Sequence, residues 1–351
     1  MIMNETIKTQ LEHRSIRKFK QESLSKDIIE TIINVANQTS SSVAMQTFSI
    51  IRITDKEKKK AIADICMQPY VVDVPELWIF VADVFRNASI LAELDSYPEN
   101  RNDMDKFFQA FSDSVLAAQN VMIAVESLGL GGVFFGSILN DPEEMIKILN
   151  LPEYTFPVLG IGFGYPDEKP DKKPRMSSEL KVFENQYKIQ ESYIKALKDY
   201  DKILEEYYKN RETNFRYDSF TNHVYTKFPL TRENRTKIMN FIRKQGFELN
   251  LEYIPESEIR TMFKKAPKVV EEHVFEESKM GFKAESGVRE LFDKYPFVKD
   301  YLLVINPRFN KLRTLAGTVE LSQMNMQQLA DMGDMPVDSL IYMIESRIDE
   351  E

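Results

Sequence analysis

Residues 126–133 read Glu126-Ser127-Leu128-Gly129-Leu130-Gly131-Gly132-Val133, the close of a helix, a glycine-rich turn and the start of a strand. Upstream, residues 104–128 carry the longest helical pattern in the chain, and its second half, 115–125, is apolar or small nearly all round. A helix of that kind is central, either at the heart of a domain or in a large subunit interface. Gly129 ends it in the manner of a left-handed cap. Downstream, residues 133–135 read as a short strand. The glycines between them either make a plain helix-to-strand turn or let the backbone approach something flat without a Cβ in the way.

Working outward, the flanking elements alternate in type. Ser25 can cap a helix whose Ile28, Ile29, Ile32, Ile33 and Ala36 share one face. A hydroxyl-rich stretch with Thr39, Ser40, Ser41 and Ser42 follows, then Gln46 and an apolar strand at 48–53. That stretch serves equally as a connector or as a row of small donors and acceptors against a polar ligand. A helix at 56–65 is broken by Gln68-Pro69-Tyr70, and the segment 77–84 begins with a continuous apolar run, Leu77 to Ala82. Such a run suits a strand buried on both faces, which makes Trp78 a core residue. Asp141-Pro142-Glu143-Glu144 opens another helix with cap, first-turn proline and acidic first turn together. The strand at 156–165 has glycines at 160, 162 and 164. That spacing is wrong for a dinucleotide fingerprint and no helical pattern follows, so a Rossmann fold is rejected.

The chain has 351 residues, which suggests two domains, one large and one small. It is 43% hydrophobic and 29% charged, with a formal net charge of −9, which argues against non-specific nucleic-acid binding by the chain as a whole. Cys66 is the only cysteine, so an intramolecular disulfide and a cysteine-held metal cluster are excluded. His13, His223 and His273 are scattered, and no protein metal site is expected. Residues 1–10 lack the apolar run of a signal peptide, and no apolar stretch approaches the length of a membrane span. A cytoplasmic location without membrane attachment is the expectation.

Two basic clusters stand out against the acidic background. His13-Arg14-Ser15-Ile16-Arg17 packs two guanidiniums, an imidazole and a hydroxyl together, a chelating set for a phosphate. Lys172-Lys173-Pro174-Arg175 lies in a loop that its prolines hold extended. Each alone is also compatible with a solvated surface.

Taken in order and spacing, His13 to Arg17, Thr39 to Ser42 with Gln46, Gln68 with Tyr70, Glu126 to Val133 and Lys173-Pro174-Arg175 resemble the nitroreductase superfamily. The branch is similar to its NADPH-dependent, oxygen-insensitive nitroreductases and flavin reductases. The likeness runs from residue 1 to about residue 247, where Arg243-Lys244-Gln245-Gly246-Phe247 resembles the usual end of such chains.

The resemblance implies an α+β fold, a mixed sheet flanked by helices in an intertwined homodimer, with FMN in a cleft at the subunit interface. It implies that His13, Arg14, Ser15 and Arg17 hold the FMN phosphate together with Lys173 and Arg175. Ser41, Gln68 and Tyr70 would line the ribityl chain and ring, Ser41 acting on the opposite subunit's flavin, and the backbone of Gly131 and Gly132 would approach the isoalloxazine. Arg211 and Arg216 would grip the 2′-phosphate of NADPH, a job suited to guanidinium forks. Neither catalytic side chain nor metal is implied, because the flavin carries the chemistry in ping-pong fashion, from NADPH to N5 and on to a small aromatic acceptor. Nitroaromatics, quinones and free flavin all fit an open apolar slot. A dedicated flavin reductase and a non-catalytic FMN-binding redox sensor remain alternatives.

Residues 1–250 are thus expected to form the FMN-binding domain, 251–286 a linker with a docking helix near 256–265, and 287–351 a small all-α domain of three or four helices. This last part resembles a small helical domain of unknown function appended to redox proteins, and it offers a surface for a protein partner. Its methionines, Met324, Met326, Met332, Met335 and Met343, read as core filler.

Overall fold

A computed structural model describes residues 2–98, 100–209, 219–230, 232–250, 278, 280–315, 318–333 and 335–348. The chain divides into two compact units, Met1–Glu252 and Tyr253–Glu351.

The first unit is built on four strands, β1 (Phe48–Ile53), β2 (Glu76–Asp83), β3 (Gly131–Phe135) and β4 (Thr155–Gly164), in the order β1-β2-β4-β3. All named pairs run antiparallel, and the parallel component is an isolated bridge between Ser15 and Gly132. Pro157 has no N–H to give, and the β2–β4 register slips beside it, between Phe80 and Val81.

β2 is buried along its whole length, as its unbroken apolar run requires. Leu77, Ile79 and Val81 point to one face, where α3 (Lys56–Cys66) and α6 (Pro142–Leu149) supply Ile62, Cys66 and Met145. Trp78 and Phe80 point to the other face, against α2 (Lys26–Asn37) and the long α5 (Met104–Ser127). Trp78 is 1% exposed, a core residue as expected. On α5, Ala110, Ser114, Ala117 and Ala118 are small, so the helix lies close on the sheet. A third cluster joins Phe107, Phe156, Phe241 and Phe247 and ties α10 (Ile238–Lys244) to the far end of the sheet. Around this core lie α1 (Glu5–Leu11), α4 (Phe85–Glu93), α7 (Tyr193–Lys209), α8 (Phe220–Lys227) and α9 (Glu233–Thr236).

The caps form where the sequence places them. Ser25 accepts from Ile28 N, Asp141 accepts from Glu144 N ahead of Pro142, and Gly129 has φ +75° after α5. No helix among the described residues is long and apolar enough to cross a membrane.

The second unit has six α-helices among its described residues: α11 (Val288–Lys294), α12 (Pro296–Ile305), α13 (Lys311–Thr314), α14 (Val319–Gln323), α15 (Met326–Gly333) and α16 (Val337–Ile348). The expected three or four helices are too few, because Pro296 opens α12 and Pro307 opens a 3₁₀ turn. Proline at a first helical position loses no hydrogen bond, so it starts a helix as readily as it ends one. Val288, Leu291, Phe309, Met326, Leu329 and Leu340 form the core, with Met324, Met332 and Met335 packed at its margin. The helix expected at 256–265 lies outside the described residues.

Candidate functional site

Beyond α1 the chain runs past two partners. Ile16 N donates to Gly132 O at 3.0 Å, Lys20 N donates to Tyr165 O at 2.9 Å, and Asp167 N donates to Lys18 O at 2.9 Å. The last two bonds fasten this segment to the chain just past β4. The loop with Lys172, Lys173 and Arg175 is thereby brought beside His13 and Arg14. Lys172 Nζ lies 2.9 Å from Glu12 Oε1, and Glu168 accepts from the N–H groups of Arg17 and Lys18. α7 backs the loop: Tyr200 donates to Pro174 O at 3.1 Å, and Lys173 Nζ stands 5.5 Å over the Tyr208 ring.

His13, Lys173 and Arg175 line a cavity of about 360 Å³, whose wall includes Gln119 and Glu126 of α5. His13 Nδ1 is 2.6 Å from Glu126 Oε1. That contact orients the ring and leaves Nε2 as its second polar atom. Arg14 reaches Glu12 Oε2 at 3.2 Å, while its Nε is buried with no hydrogen-bond partner among the described residues. A buried N–H of a cation is costly unless an acceptor completes it. Lys172, with help from Arg14, holds the exposed Glu12 carboxyl below its ordinary range. The cationic donors His13, Lys172, Lys173 and Arg175 around the cavity, with the unsatisfied Arg14 Nε next in sequence to His13, suit an anionic ligand such as a phosphate monoester.

Gln68 lies on a second cavity of about 440 Å³, with Cys66, Ser137, Asn140, Arg232 and Arg235. Tyr70 donates to Gln68 Oε1 at 2.7 Å, and Gln68 Nε2 donates to Ser137 Oγ at 3.3 Å, which sets the amide's orientation. Burial pushes the Tyr70 phenol up, partly opposed by the Arg17 guanidinium, so it stays a donor at neutral pH. Cys66 is also pushed up by burial and remains an inert thiol. Arg235 Nη1 donates to Gly136 O at 3.0 Å.

The other expected residues lie as follows. Gly132 carries the Ser15 bridge. A Cβ on Gly131 would stand 2.6 Å from Ile16 Cγ1, and one on Gly132 would stand 2.8 Å from Met122 Sδ. The protein's own packing therefore accounts for both glycines. Ser41 belongs to neither cavity wall; its Oγ accepts from Gln46 N at 3.2 Å. Arg211 and Arg216 lie outside the described residues. Sequence reasoning assigned no role to Glu126, Ser137, Asn140, Arg232 or Arg235. The one available signal was the pair of arginines three apart, a spacing that puts both on one side of a helical turn.

The model of the nitroreductase family matches residues 11–165, and that of the nitroreductase family C-terminal domain matches residues 173–250. An oxygen-insensitive NADPH nitroreductase of Salmonella typhimurium is 38% identical over 247 residues, 70% of this chain and 99% of its own. An FMN reductase (NADPH) of Bacillus subtilis is 31% identical over 250 residues, 71% of this chain and 100% of its own. Among solved structures, the NADPH:FMN oxidoreductase of Vibrio harveyi complexed with NAD+ superposes with a TM-score of 0.62 at 32% identity, covering 70% of this chain and 99% of that one.

Proposed function

The chain belongs to the nitroreductase family, and from that premise we propose that it is an FMN-dependent oxidoreductase that draws electrons from NADPH and passes them to small aromatic acceptors. The observation that carries this reading is the cationic cavity, assembled from two segments about 160 residues apart, together with the orphaned Nε of Arg14. FMN, when bound, supplies the hydride chemistry. The protein's residues bind and orient. His13, Arg14, Ser15, Arg17, Lys173 and Arg175 hold the phosphate, His13 with its ring set by Glu126. Gln68, fixed by Tyr70 and Ser137, presents its amide toward the flavin, and Gly131 and Gly132 keep β3 flat and close. Arg211 and Arg216 serve the NADPH 2′-phosphate. Arg232 and Arg235 add positive charge to the second cavity, suited to acceptors or donors that carry negative charge.

A homodimer supports the same reading. On α5, Phe108, Val115 and Leu116 are exposed in the single chain, opposite the face that packs on the sheet. An apolar stripe on a central helix calls for a covering surface, and a second copy supplies it by two-fold symmetry. Ser41, in neither cavity wall of its own chain, then serves the partner's flavin. The unit Tyr253–Glu351 serves in this reading as a surface for a protein partner.

The test compares FMN with riboflavin, which lacks the phosphate. Replacing Lys173 and Arg175 together by alanine should weaken FMN about 100-fold, at roughly 1.5 kcal/mol per charge-assisted hydrogen bond, and leave riboflavin binding unchanged. Equal losses for both ligands would remove the phosphate assignment.

A further inference from the structure

The turn that carries Ser41 is strained and clamped. Val43, Ala44 and Gln46 have φ of 43°, 59° and 49°, left-handed values taken by three non-glycine residues within four positions. Each such residue costs free energy against its ordinary basins, Val43 most of all because it is β-branched. A connector under no constraint would relax. This one is held by the side chains of two helices. Asp113 of α5, 1% exposed, accepts from Ser42 N at 2.9 Å, from Thr47 N at 3.1 Å and from Thr47 Oγ1 at 2.9 Å. From α4, Asn87 donates to Met45 O at 3.1 Å and Arg86 to Gln46 O at 2.9 Å. Donors and carbonyls of the turn are therefore gripped from opposite sides.

We propose that Asp113 is a positioning residue for flavin binding, holding the Ser41–Gln46 turn in its left-handed form so that Ser41 meets the cofactor. This inference rests on the FMN reading above and extends it to a residue that touches no ligand. All three groups facing Asp113 are donors, so only a carboxylate, with acceptors alone, satisfies them together. A buried carboxylate that accepts three bonds is strongly held, and that holding offsets the strain. Asparagine has the same shape but turns an NH2 toward at least one of the donors.

The experiment measures FMN dissociation constants and the visible circular dichroism of bound flavin in the full-length protein. Asp113→Asn should bind FMN about tenfold more weakly, the scale of one charge-assisted hydrogen bond lost, with an altered flavin dichroism. Adding Ala44→Gly should restore part of the affinity, because glycine takes φ near +59° without the steric cost of a Cβ and so leaves the weakened clamp less strain to offset. A purely structural aspartate would give no such rescue. Unchanged affinity in Asp113→Asn, or a loss that Ala44→Gly leaves unrepaired, overturns the proposal. If Asp113→Asn does not fold, Thr47→Val removes one donor and keeps the carboxylate. It should weaken FMN about threefold, and wild-type affinity there also overturns the proposal. Failure of the wild-type chain to bind FMN would overturn the flavin reading itself; wild-type binding with an indifferent Asp113→Asn overturns this inference alone.

Discussion

Gly131 shows how a residue legible in the sequence can have a second reason in the structure. Its place in a glycine-rich turn pointed to a flat ligand, yet a Cβ there would lie 2.6 Å from Ile16 Cγ1 and 2.9 Å from Ile16 Cβ. Ile16 is stiff and sits between Ser15 and Arg17, so it cannot swing aside without moving the anion-binding segment. Gly131→Ala is expected to cost about 1–3 kcal/mol in urea unfolding through overpacking, and to weaken FMN binding as Ser15 and Arg17 shift. A variant as stable as the wild type, with unchanged flavin affinity, would show that the contact is loose. His13 and Lys173 were legible because cations clustered in a short span are a local pattern. Glu126 as the partner of His13 was not, because the two are 113 residues apart and only the fold brings them to 2.6 Å.

At the scale of elements, periodicity and capping carried most of the reading. α5, α6, β2 and β4 lie within a residue or two of their expected bounds, because apolar runs and the Asp141-Pro142 cap are strong local signals. Proline was ambiguous: Pro296 and Pro307 each open a helical segment, so the helices are more numerous than expected. One face of α5 packs on the sheet at the heart of the unit, and on another Phe108 is 60% and Leu116 51% exposed. If a second copy covers that stripe, Leu116→Lys places a charge in an apolar contact and should shift the protein from dimer to monomer in sedimentation equilibrium. A Leu116→Lys protein that remains a dimer at micromolar concentration would put the interface elsewhere.

For the whole molecule, strand order was the least legible feature. Nothing in the periodicity says that β4 lies between β2 and β3, or that the chain past β4 turns back to pair with residues 18–20. That return makes the site, because it joins two basic clusters that are unremarkable apart. Apolar side chains form a core in each unit, and the first also gathers polar groups into cavities. The central claim concerns the first. The most direct measurement is the absorbance of the purified protein, supplemented with FMN and desalted, between about 350 and 500 nm before and after NADPH is added without oxygen. The account predicts flavin bands that bleach with NADPH and return when a nitroaromatic or quinone is added. Bands that persist under NADPH, or no retained flavin at all, would contradict it.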